Sequence, residues 1–327
     1  MLSCLARLSP TSVAVCALLT GCAVPVESGG QVEGETASVH AFLNVEQSAA
    51  LGQQGEGTRQ TAAATFLRVP DGTDPQLMAR MVGAVVDLPL PGQCRVEGQG
   101  EGLLPLRMLN PIEMVPVGEV SVRAGEASTR LVARAYPDVA HLISGVVYTS
   151  SGREQPVKPV VGESLVTFDV AGGEGVAGFE VAVSAPEPVD QLRVERDEGG
   201  GPVVVAWQAA SESRRAGAAV SADVGVVEGD DQFFVDVVFG AQAAPVAPGD
   251  VDGELLRAPR TVRCGGAATS TIAVPAALSG ERAVTSVAVH RLRTIRLTTP
   301  ALGGGQVRVD VMRLLSVPEA RGEEATR

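Results

Sequence analysis

The residue types suited to catalysis or metal binding are few in this 327-residue chain and widely scattered. His40, His141 and His290 lie far apart, and neither His-x-x-x-His nor Cys-x-x-Cys occurs, so the close ligand spacing of a zinc site is missing. His290 shares a strand-like run with Val287 and Val289 and reads as a structural or surface histidine. Asp230-Asp231 and Asp250-Val251-Asp252-Gly253 are the acidic clusters that could interest Ca²⁺. The second has Asp-x-Asp but none of the remaining calcium-loop positions. Both fall where β-turns are expected, and Asp and Gly serve the backbone there. No Gly-x-Ser-x-Gly elbow is present. Gly98-Gln99-Gly100-Glu101-Gly102 has neither the spacing nor the strand-to-helix setting of a dinucleotide loop. A carboxylate pair for glycoside hydrolysis would have to be assembled by the fold. The single Trp and two Tyr leave little for a sugar-stacking cleft, and Tyr136 and Tyr148 suit packing as well as ligand contact. No catalytic, cofactor-binding or metal-binding residue is assigned on this reading.

One cysteine has chemistry that its context names. Residues 1–22 begin with Arg7 as their only charge, continue through an apolar run from Val13 to Leu19, and close on small residues, which is the layout of an export signal. The run is far short of the ~20 residues of a spanning helix. Leu19-Thr20-Gly21-Cys22 resembles the lipobox of bacterial lipoproteins, at which the leader is cut and Cys acylated. That resemblance implies lipidation of Cys22 as the mature first residue. One chain binds a membrane only reversibly, and two or three hold it stably. Ala23, rather than Asp, follows Cys22, which in lipoproteins of Gram-negative bacteria implies the outer membrane.

Composition bounds what hangs from that anchor. Hydrophobic residues make up 45% of the chain and aromatics only 3%, so the core must rest on Val, Ala and Leu, and Val favours strands. Lys158 is the only lysine, and the abundance of Arg, Ala, Gly and Pro matches the codon bias of a high-GC genome. The net charge is −12, and losing Arg7 with the leader makes it one unit more negative. Nucleic acid, which needs a basic footprint, is excluded as a partner. An acidic chain also has no reason to lie flat on anionic lipid, leaving the acyl chains as the membrane contact. Cys4 and Cys16 leave with the leader. Cys94 and Cys264 remain in a compartment that permits disulfides; they read as two separate buried thiols, with a bridge between them as the alternative.

The chain itself predicts an all-β protein of two antiparallel β-sandwich-type domains, with one short helix in the first. After the leader (1–21), residues 22–35 are rich in Pro, Gly and Glu and read as a flexible tether. Residues 36–196 form the expected N-terminal β-rich domain. Asp74 and Pro75 predict an N-cap and a first helical residue, and Leu77, Met78, Met81 and Val82 have helical spacing. Residues 85–90 read as a short strand, and Ala124-Gly125-Glu126 as a hairpin turn between runs at 120–122 and 131–133. Charge, three glycines and Pro202 mark an expected domain junction near 195–202. Beyond it, Val203, Val205 and Trp207 share one strand face, and Val307, Val309 and Val311 alternate with Arg308, Asp310 and Met312. Residues 202–317 resemble an immunoglobulin-like or fibronectin-III-like sandwich without the second Cys of antibody domains. Residues 318–327 read as a disordered charged tail.

The expected function is that of a non-enzymatic binding or structural module of the cell surface. Membrane contact is through the lipid on Cys22, and the partners are other envelope or extracellular proteins. The competing reading is a lipid-anchored secreted hydrolase or its carbohydrate-binding accessory. An enzyme predicts a concave pocket in which a histidine and carboxylates converge, and His141 or His290 facing two acids in a cleft would overturn the non-enzymatic reading. A plain binding module predicts an apolar patch or edge strand instead.

Overall fold

The computed structural model describes residues 37–51, 58–98, 111–125, 127–139, 142–150, 156–157, 165–173, 175–196, 201–208, 225–229, 231–240, 258–266, 271–280, 282–300 and 302–317. The leader, Cys22, the tether at 22–35 and the tail at 318–327 lie outside them.

A long mixed sheet carries the molecule. Its centre is β1 (Ala37–Leu51) running parallel to β19 (Leu302–Ser316), so the first and last described strands are partners from His40↔Gly304 to Leu51↔Leu315. On one side of this pair follow β18 (Val284–Thr299), β15 (Gln232–Phe239), β16 (Arg260–Gly266) and β3 (Cys94–Val96), with β14 (Gly225–Glu228) on the far end of β18. On the other follow β2 (Thr58–Pro70), β4 (Ile112–Met114), β8 (Ile143–Thr149) and β7 (Val132–Val139), with β9 (Pro156–Val157) beside β2.

Strict alternation in these strands gives the sheet two different faces. One is apolar and is covered by two smaller sheets. Val45, Phe66, Val307, Val309 and Ile295 meet Val122, Val166, Phe168 and Val181 of a four-stranded sheet. That sheet is ordered β11 (Phe179–Ser184), β10 (Leu165–Val170), β5 (Val120–Ala124), β6 (Ala127–Arg130). Val235, Val237, Phe239, Val262 and Val289 meet Val203, Val205 and Trp207 of a three-stranded sheet. Its strands are β12 (Asp190–Arg196), β13 (Val203–Gln208) and β17 (Thr271–Val274), and the short α2 (Ala276–Ser279) follows. Trp207 stacks on Phe233 with ring centroids 6.3 Å apart. Tyr148 is a core residue of this side, edge-on to Phe66, and its hydroxyl accepts a hydrogen bond from the Val117 amide at 2.8 Å.

The opposite face is mostly polar. Toward the β2–β4 end it is covered by α1 (Pro75–Met81), whose Met78 and Ala79 pack with Phe42, Leu67, Val69, Ile112 and Met114. The Asp74 side chain accepts from the Gln76 amide at 2.8 Å and Pro75 opens the helix, as its residues predict; such a cap contributes about 1 kcal/mol. Residues 85–90 form no ladder, in contrast to the expected strand. Pro89 and Pro91 remove two amide donors, and the segment instead crosses the open face before joining β16 as β3.

The sandwich-like, all-β architecture with an early helix is therefore as expected, but the expected two-domain division is corrected. The junction at 195–202 is a hairpin connection: β12 and β13 pair across it from Arg196↔Val203 to Asp190↔Gln208. Thr36–Arg327 forms one compact unit. Residues 202–317 thus share both of their sheets with N-terminal strands and do not close as a separate immunoglobulin-like sandwich. Cys94 and Cys264 are also not separate thiols. They face each other across the β3–β16 ladder and are joined as a disulfide. Among the described residues no helix is long and apolar enough to cross a membrane.

Candidate functional site

The polar face of the long sheet holds one connected charge network. Arg263, Asp236, His290, Asp310 and Glu46 each sit between residues that point into the covered core, so alternation alone turns them to the other side. Their strands β16, β15, β18, β19 and β1 are consecutive in the sheet, and this brings the five together. The Arg263 guanidinium donates to both Asp236 oxygens, through Nε at 2.7 Å and Nη2 at 2.6 Å, and its Nη1 lies 3.3 Å from Glu97. Such a two-point fork is the strongest geometry available to an Arg–carboxylate pair. Beyond it, Nδ1 of His290 lies 2.9 Å from Asp310 Oδ2, and Nε2 faces Asp236 Oδ2 at 3.6 Å. The imidazole stacks on Phe234 at 4.1 Å between centroids, and the Arg263 guanidinium lies over the same phenyl ring. Glu46 stands opposite Asp310 in the β1–β19 register.

Burial sets the protonation states. The His290 side chain is only 7% exposed, which disfavours a charged ring. The charge and hydrogen bond of Asp310 and the charge of Asp236 outweigh this and raise its pKa above the ordinary 6.5. The charged form of the His290 ring is thus favoured relative to a free imidazole, with Nδ1 against Asp310 and a second carboxylate facing its other nitrogen. Burial and then the charge of Asp310 push the Glu46 carboxyl above its usual range, with Asp236 adding to the effect. For Arg308, burial lowers the pKa despite nearby Asp310 and Asp87.

These groups line a cavity of about 530 Å³, within the usual size of a small-molecule site. Its floor is Glu46, His290, Asp310, Arg308 and Arg263, one side is Thr61, Ala62 and Ala63 of β2, and its other wall is Ala84, Val86 and Leu88 from the segment after α1. That segment is held down along its length. The Asn44 amide donates to the Ala84 carbonyl at 2.9 Å, Arg80 pairs with Asp87 at 3.1 Å, and Arg95 donates to the Asp87 carbonyl. The Cys94–Cys264 disulfide fixes its end to β16. Gly265 lets it pass: a Cβ there would stand 2.2 Å from the Pro89 carbonyl oxygen. A second cavity of about 590 Å³ adjoins the first, sharing Val86, Leu88 and Arg308 and adding Val227 and Gln306.

Other candidates from the sequence fall elsewhere. Asp231 is a structural counter-ion: its oxygens are 2.7 Å from Arg291 Nη2 and 2.8 Å from Arg293 Nε. Burial would raise its pKa, but the hydrogen bond and charge of Arg293, with Arg291, hold it below the usual range. The same arginines donate to the Ser184 and Glu187 carbonyls, tying the link between the two covering sheets to β18. His40, near Ser38 and lowered in pKa by burial, lies apart from the cavity lining. His141, Asp230, residues 250–253 and Gln99 to Gly102 are outside the described residues. Among the described residues no three His, Cys, Asp or Glu side chains converge tightly enough to hold a metal ion.

His290 faces two acids at the floor of a cavity, the arrangement expected of an enzyme rather than of a plain binding module. Reactivity does not follow from that convergence. Nδ1 is committed to Asp310 and one ring face is covered by Phe234, while Nε2, 3.6 Å from Asp236, is buried without a hydrogen bond, and a general base needs its lone pair within reach of a substrate. No protein-family model matches the chain, and a search of the curated proteins finds no match to it.

Proposed function

We propose that this chain is a lipid-anchored protein of the outer membrane that binds a small polar molecule without transforming it. The observation that carries this reading is the cavity of about 530 Å³ floored by charged groups and walled by a segment tied down by a disulfide. A desolvated charge costs several kcal/mol, so a pocket floored by charges is sensible if an occupant offsets that cost. The Arg263–Asp236 fork and the His290–Asp310 bond support a fixed electrostatic floor over a catalytic base. Anchoring rests on Leu19-Thr20-Gly21-Cys22 and Ala23, with the acyl chains on Cys22 as membrane contact. The edge strand β7, with Val132 exposed, offers a surface for other envelope proteins.

The test is extraction of full-length chain from its own envelope in detergent, followed by mass spectrometry of released small molecules. Ala63→Trp fills the cavity from β2. A molecule that accompanies the wild type and is absent from Ala63→Trp supports the reading; equal recovery from both, or none from either, sinks it.

A second reading, a lipid-anchored hydrolase, is favoured by one observation: Glu46 is raised in pKa beside Asp310, as paired acids with separated roles are. It requires turnover of a bound molecule by wild type that Glu46→Gln abolishes while binding persists.

A further inference from the structure

Two charged side chains lining the cavity, half-buried Arg308 and the more exposed Glu46, make no hydrogen bond or ion pair among the described residues. The Arg308 guanidinium makes none, although Arg263, Asp236, His290 and Asp310 nearby are forked or bridged. Its five N–H donors therefore face the space where the two cavities meet. Glu46 is likewise without an ion pair or hydrogen bond among the described residues. Asp310, opposite it, spends Oδ2 on His290 and leaves Oδ1 buried with no partner. Arg308 and Asp310 are two residues apart on one face of β19, roughly 6–7 Å along the strand. The cavity thus offers a cation beside acceptors, with Asp310 acting on Arg308 through its charge but neither hydrogen-bonded nor ion-paired to it.

Resting on the reading of this cavity as a binding site, we propose that its ligand is a small zwitterion of the amino-acid or short-peptide class. The ligand's carboxylate is held by Arg308 and its primary ammonium by Glu46 and Asp310 Oδ1. A guanidinium fork matches a carboxylate in two-point geometry, and an ammonium supplies the donors that two carboxyl groups lack. A simple anion fits less well, because on reaching Arg308 it meets Glu46 and Asp310. A simple cation fits less well, because at Glu46 it meets Arg308, Arg263 and the His290 imidazolium. The cavity exceeds one amino acid in size, and the apolar wall of Ala84, Val86 and Leu88 suits the side chains of a dipeptide.

The probe is an equimolar mixture of Ala-X dipeptides, with matched N-acetylated and C-amidated mixtures, applied to immobilised full-length chain and read by mass spectrometry. Free-ended dipeptides are expected to be retained at least ten-fold better than either blocked form. Arg308→Gln and Glu46→Gln, both of which leave the Arg263–Asp236–His290–Asp310 chain of bonds intact, are each expected to remove that retention while melting as cooperatively as wild type. Equal retention of the amidated form, equal retention of the acetylated form, or no retention of any dipeptide by folded wild type overturns the zwitterion. Failure here leaves the Ala63→Trp extraction unaffected: a molecule lost from that variant keeps the pocket and discards only the ligand class.

Discussion

Replacing His290 by Phe tests whether the floor of the cavity is held by a charged imidazole. The phenyl ring keeps the stack on Phe234, so packing changes little and the loss is electrostatic. Attraction between unit charges 2.9 Å apart is about 5–6 kcal/mol at an effective dielectric of ~20. Desolvation of the pair offsets part of this in the wild type. In the variant that offset vanishes for the histidine alone, and Asp310, whose side chain is 18% exposed, stays buried with its last bond gone and Glu46 opposite. Removing one partner of a buried pair costs about 3–5 kcal/mol, whereas replacing both by apolar groups is close to neutral. The double variant His290→Phe, Asp310→Leu is therefore expected to recover most of what the single variant loses.

The assay is urea unfolding at pH 7 for wild type, single and double variants. A single variant within ~1 kcal/mol of wild type, or a double variant less stable than the single, refutes the reasoning, because both outcomes mean no buried charge was orphaned. The protonation state has its own readout. Only three histidines occur, so ring ¹⁵N signals can be assigned by substitution. His290 is expected to remain doubly protonated at pH 6.5 and to titrate above it. Its folded pKa is raised, so its contribution to stability is fully present below the unfolded value near 6.5 and fades as pH rises through the folded value. Titration below 6.5 would show a neutral ring.

Glu46→Gln is expected to behave in the opposite sense to a loss of function in folding. The folded pKa of Glu46 is raised, so wild type loses stability as pH climbs from 4.5 through that value. The variant should match wild type in melting temperature at pH 4 and exceed it at pH 8; a lower value at pH 8 means Glu46 has a partner. Breaking the Cys94–Cys264 bridge opens a loop spanning 170 residues, which on chain-entropy grounds removes up to about 5 kcal/mol. Cys94→Ala, Cys264→Ala should lower the urea midpoint by a corresponding amount, and an unchanged midpoint would place the link outside the cooperative unit. Cys22→Ala is expected to move the full-length chain from the membrane fraction to the soluble one, and retention in the membrane would remove the lipid anchor from the proposal.

Local chemistry was legible where the residues carrying it are neighbours in the chain. Asp74 and Pro75 announced α1, and the alternation of Val307, Val309 and Val311 against Arg308 and Asp310 marked both faces of β19. By itself that alternation would leave charged residues opposite a core face in water. What decides otherwise is long-range. The sheet sets β16, β15, β18, β19 and β1 side by side, and residues 82–97 cross over them. The glycines and charges at 195–202 read as a linker because a connection between paired strands also needs turn residues and no core, and Arg196 and Val203 on either side of it are ladder partners. Pairing of Cys94 with Cys264, 170 residues apart, likewise depends on which strands share an edge.

The arrangement also explains why the network survives on a face that could have been apolar. Arg263, Asp236, His290 and Asp310 form an alternating chain of charges in which the Arg263–Asp236 fork and the His290–Asp310 bond are made, while His290 Nε2 and Asp310 Oδ1 keep no hydrogen-bond partner. Glu46 and Arg308 sit beside that chain and are left out of its pairing. A sheet selected for stability alone would close this gap with one more ion pair or a hydrophobic pair. One cation and one acid left outside that pairing, a single row apart on paired strands and lining a cavity, are what the proposed binding role accounts for and folding alone does not.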